Sequence, residues 1–176
     1  MMRIVLLSFI VFFNFILQST WLNGIAVFGV VPNTILIIIV CYALLRDDVE
    51  GAILGFCAGL LQDLLFGQVI GISAFLMMMT GFLCGKPFKD FYKENYIVPL
   101  IMVALASVAY ETAFYIINFL LLGRINFIRY LGQIILPVTA YNLIFSIFIY
   151  RLIYMFDTVL RKRDDKKRGF MNKKIK

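Results

Sequence analysis

What most constrains this chain is its series of long apolar blocks. Residues 30–45 carry no charged side chain, and residues 96–122 carry one, Glu111. A bilayer core of about 30 Å is crossed by about 20 apolar residues in a helix. In lipid the backbone must close its own hydrogen bonds, so such blocks are helices. The pattern predicts an all-α membrane protein with about six transmembrane helices, near residues 4–22, 32–45, 49–66, 72–85, 96–122 and 131–156. A polytopic membrane domain is expected over residues 1–156, and a solvated basic tail over residues 157–176. Charged residues make up 15% of the chain, where a soluble domain carries about 25%. That composition argues against a soluble enzyme.

The block ends have their own logic. Arg3 and the apolar run after it resemble a signal peptide, but no A-x-A cleavage pattern follows, so an uncleaved first helix with Trp21 at the interface is expected. Pro32 and Asn33 open the second span, because proline suits a first turn whose N–H would be unpaired anyway. The third span is short and glycine-rich, and its alternative is a re-entrant hairpin. Pro137 lies inside the sixth span and is expected to kink it.

Charge sets the orientation. With six spans, Arg3, Arg46, Lys86, Lys89, Lys93, Arg151 and nine basic tail residues fall on one side. Only Arg124 and Arg129 fall on the other. The basic side is the cytoplasmic one, so both termini are expected in the cytoplasm. The net charge of +7 is therefore read as orientation and attraction to anionic membrane lipids, with no nucleic-acid partner.

The candidate functional residues lie inside the spans. Gly51, Gly55, Gly59, Asp63, Gly67 and Gly71 recur every four residues. Residues four apart share a helix face, so the first three glycines form a groove in which backbones can approach closely. That groove seats either another helix of this chain, with the first or fifth span as candidates, or a partner's helix. Asp63 can cap the turn at Phe66–Gly67, pair with Arg124 or Arg129, or bind an ion or proton. Glu111 lies deep in the fifth span with Ser107 and Tyr115 one turn to either side. It is expected to be protonated or paired, since an isolated carboxylate in hydrocarbon neutralises. Asn14, Gln18, Asn118, Gln133 and Asn142 can join it in a polar interior that glues helices together.

Several chemistries lack their residues. The chain has no histidine, which removes the commonest general base and metal ligand. Cys41, Cys57 and Cys84 sit in apolar blocks without CxxC spacing, so no metal, cofactor or disulfide is expected. HExxH, GxSxG and Walker motifs are missing, and Asp63 is the one aspartate inside a span.

Pro32–Asn33, the polar turn Arg46–Glu50, and the run Gly51-x3-Gly55-x3-Gly59-x2-Gln62-Asp63-Leu64-x2-Gly67-x3-Gly71 together resemble the MreD family of bacterial rod shape-determining proteins. The resemblance extends over essentially the whole chain and is specific in residues 32–85. It implies a non-catalytic component of the cell-elongation complex in the cytoplasmic (inner) membrane. The implied partners are an MreC-like protein and, through it, an MreB-like filament, a RodA-type glycosyltransferase and a class B penicillin-binding protein. A homodimer stays open. The family is also similar in fold to the S components of energy-coupling-factor transporters, so the alternative is a vitamin-binding transporter subunit. Short outer connections with few hydrogen-bond donors favour the assembly role.

Overall fold

The computed structural model describes residues 10–17, 30–67, 69–85, 97–122 and 127–174. The side chains of residues 118, 120–122, 157 and 159–174 lie outside that description, as do Gln18, Trp21, the connection at residues 86–96 and Arg124.

The described chain is helical nearly throughout. Residues 10–17 form α1. It is followed by α2 (Thr34–Leu45), α3 (Asp48–Phe66), α4 (Ile72–Gly85) and α5 (Ile97–Leu122). A short α6 (Phe127–Tyr130) runs through a π-helical turn (Leu131–Ile135) into α7 (Leu136–Lys174). Among the described residues, three stretches are long and apolar enough to cross a membrane: Asp48–Phe66, Ile97–Ile117 and Phe127–Phe156. Two apolar helices, α2 and α4, are shorter.

The centre of the molecule is α2. Its sequence, TILIIIVCYALL, is apolar all round, and a helix with no polar face is a buried helix. All twelve of its residues are buried. It touches α3, α4, α5 and α7, and Ile35, Leu36 and Ile39 share a cluster with Val11 and Phe15 of α1. At about 1.5 Å per residue, α2 is about 18 Å long. It is thus shorter than a bilayer core, and its partners enclose it. The outward faces of α3, α4, α5 and α7 carry exposed Ile53, Phe75, Leu105 and Phe148, as lipid-facing surfaces do.

One expectation changes. The irregularity expected at Pro137 appears one turn earlier, as the π-helical turn. Proline has no N–H for the carbonyl of residue 133, and the helix shifts its hydrogen-bond register just before it: Leu136 N–H donates to the carbonyl of Leu131. Beyond the apolar stretch that ends at Phe156, α7 runs on helically to Lys174.

Candidate functional site

The glycine groove is filled from within. α3 and α4 form an antiparallel pair with the most extensive contact among the described helices. A Cβ added at Gly59 would stand 2.6 Å from Ala74 Cα and the Ser73 carbonyl oxygen. One at Gly55 would strike the Met77 carbonyl, and one at Gly51 would stand 2.5 Å from Ala43 Cβ and 2.9 Å from the Gly81 carbonyl oxygen. The reverse holds too: a Cβ at Gly81 would strike the backbone of Gly51, and one at Gly85 the backbone of Asp48. Backbone therefore lies on backbone along the whole seam, at a separation only glycine permits. The groove is occupied by α4, with Ala43 of α2 also against Gly51, where the first or fifth span was the expected neighbour within the chain. Ser73, Met77, Gly81 and Gly85, also spaced by four, make the receiving face.

Asp63 closes the seam at the turn. Its side chain is buried and accepts three backbone N–H groups at the start of α4. Oδ2 takes Gly71 N–H at 2.8 Å and Ala74 N–H at 3.1 Å, and Oδ1 takes Ser73 N–H at 3.2 Å. Of the readings open for Asp63, these bonds correspond to capping, at the start of the next helix and not at the turn Phe66–Gly67. The first N–H groups of a helix lack internal partners and carry partial positive charge, so a buried carboxylate is stabilised there. Arg129 is exposed, and Arg124 is outside the described residues. Gly67 ends α3 by donating its N–H to the Asp63 carbonyl at 2.9 Å. Gly71 has φ +106°, a conformation that side chains rarely adopt, and it turns the chain into α4.

A second set of polar groups joins the other helices. Asn33 caps α2 by accepting Leu36 N–H at 3.1 Å, and its own N–H donates to Asn142 Oδ1 of α7 at 2.8 Å. Asn142 Nδ2 then donates to Ser107 Oγ of α5 at 2.8 Å. Thr34 Oγ1 donates to Asn14 Oδ1 of α1 at 2.8 Å. Pro32 is fully buried just before this junction. Non-helical backbone inside a membrane protein needs partners from the protein; at Asn33, Asn142 supplies one. Glu111 is 8% exposed, and Tyr130 O–H donates to its Oε2 at 3.4 Å. Gln133, expected in this interior, is exposed instead, because it falls on the outer side of the π-helical turn. Asn118 cannot be placed, as its side chain is outside the described residues. Ser73, Tyr130 and Thr34 join these sites without having been singled out by spacing.

On its outer side the α3–α4 pair carries an apolar groove of about 430 Å³. It is lined by Val49, Ala52, Ile53, Phe56, Met78 and Phe82. No group of three or more potential metal ligands occurs among the described residues.

A family model described as rod shape-determining protein MreD matches residues 1–160 of the chain. No curated protein and no solved structure matches it.

Proposed function

Because this chain belongs to the MreD family of rod shape-determining membrane proteins, we propose that it is a non-catalytic subunit of the cell-elongation complex, holding the transmembrane helix of an MreC-like protein. Through that partner it would support lateral peptidoglycan synthesis by a RodA-type glycosyltransferase and a class B penicillin-binding protein beneath an MreB-like filament. Both termini face the cytoplasm in this reading, as the basic residues demand.

The observation that carries the reading is the two-faced α3. Its glycine face is consumed by α4, and its outer face presents the groove with Phe56 and Ile53 exposed. A rigid helix pair with a purely apolar groove suits an apolar helix, which packs by shape and dispersion contacts. The transporter-subunit alternative needs an open polar pocket. Here the central polar groups Asn33, Asn142 and Ser107 are committed to one another.

Cysteine crosslinking in native membranes tests the seat. Ala52→Cys and Phe56→Cys should crosslink to cysteines placed every three to four residues along one stripe of the partner's helix. Leu105→Cys on α5 and Ile147→Cys on α7 should not. Crosslinks confined to α5 or α7 would move the partner elsewhere.

A further inference from the structure

We infer that the groove on the α3–α4 pair holds only the cytoplasmic end of its partner's helix: a basic flank followed, within two turns, by two bulky apolar side chains one turn apart. The inference rests on the seat proposed above and says which part of the partner fills it.

The groove is short and lies at one end of the pair. On α3 its lining runs from Val49 to Phe56, which at about 1.5 Å per residue is about 10 Å of a helix about 28 Å long. On α4 it is lined by Met78 and Phe82, in the second half of that helix. Arg46 lies just before α3 and Lys86 just after α4, so this is the end on the basic, cytoplasmic side. The floor is Ala52, where the two backbones meet: a Cβ on Gly81 would stand 3.0 Å from Ala52 N.

Toward the outer side the seat ends. The face of α3 that holds Val49, Ala52 and Phe56 continues at helical spacing through Leu60 to Asp63. Leu60 is half-buried, and Asp63 is buried and bonded to the first N–H groups of α4. The turn into α4 thus closes that face two turns beyond Phe56. What remains open is a hollow of about 430 Å³, more than one side chain fills. Apolar contacts close without voids of that size. Two large side chains three or four residues apart share a helix face and enter it together.

At the inner mouth the groove meets charge. Val49 stands between Asp48 and Glu50, the acidic residues in the first turn of α3, and Glu50 is exposed. Glu50 Oε2 accepts Tyr42 O–H at 2.7 Å, which holds the carboxylate in place. A membrane-spanning helix carries its Lys and Arg at the cytoplasmic end. An apolar groove with an acidic mouth therefore fits that end of a partner's helix and not the other.

The test is crosslinking in native membranes, with the full-length Cys57→Ser protein and the MreC-like partner. Phe56→Cys should crosslink to partner cysteines in the first two turns from the cytoplasmic end and to none further out. Leu64→Cys, exposed near the outer end of α3, should crosslink to none. Glu50→Lys should lower partner recovery about threefold at unchanged abundance, as for one exposed ion pair, and a Lys→Glu or Arg→Glu change in the partner's flank should restore it. Crosslinks from Leu64→Cys as strong as those from Phe56→Cys, or from Phe56→Cys to the partner's outer half, overturn the inference and leave the seat in place. So does full recovery with Glu50→Lys, or a loss that no charge reversal restores. Full co-purification without any crosslink from α3 removes the seat itself, and the inference with it.

Discussion

The α3–α4 pair and the junction of α2, α5 and α7 hold helices together by opposite means. Along α3–α4, the glycines of α3 bring its backbone onto that of α4, with a single carboxylate closing one end. At the junction, side chains of ordinary size meet, and Asn142 bridges Asn33 and Ser107 by hydrogen bonds. Lipid tails are as apolar as leucine, so burial alone gives helices little reason to associate. Close approach and polar pairing are the two remaining devices: the seam relies on the first along its length and on Asp63 at its end, and the junction relies on the second. They should also fail differently, the first through size and the second through lost polarity.

The largest effect is therefore expected at the seam. Overpacking costs about 1–3 kcal/mol where neighbours can shift. Opposite Gly55 stands the Met77 backbone, which cannot shift without parting the helices. Gly55→Ile should thus exceed that range and remove most folded protein, read as abundance in the membrane and resistance to unfolding in detergent. Asp63 comes next. Asp63→Leu strips acceptors from three N–H groups, two of them buried, and should cost on the order of 3 kcal/mol. Asp63→Asn keeps one oxygen and should cost about 1 kcal/mol. If Asp63→Asn were instead normally abundant yet without function, the charge itself would be required.

At the junction the effects should be smaller. Asn142→Leu keeps the volume but leaves the Asn33 N–H and the Ser107 hydroxyl unmatched, for about 1–3 kcal/mol. Thr34→Val keeps the shape and breaks the bond to Asn14, for about 0.6 kcal/mol. Equal losses from Gly55→Ile and Asn142→Leu would erase the distinction between the two regions.

How far the sequence foretold this differs by region. The four-residue glycine spacing located the close-packing face of α3, because size is written directly in residue identity. Its occupant was harder to see: Ser73, Gly81 and Gly85 continue the spacing on α4, but Met77 interrupts the small residues and conceals the pattern. What Asp63 would bind was hidden for another reason. Its donors are backbone N–H groups of the next helix, and these carry no side-chain signature. The burial of α2 follows from its unbroken apolar run. The pairing of Glu111 with Tyr130, and the outward turn of Gln133, depend on a π-helical turn that a regular helical period does not describe.

Neighbouring residues of α3 divide the work in this proposal, Gly55 serving the fold and Phe56 the proposed partner. That division is tested most directly by comparing Gly55→Ile with Phe56→Ala for membrane abundance and for co-purification of the MreC-like protein. Gly55→Ile should be depleted from the membrane. Phe56→Ala, on the exposed side, should accumulate normally and recover less partner. A Gly55→Ile protein that accumulates normally but loses its partner would contradict it, because the glycine face would then belong to the complex and not to α4.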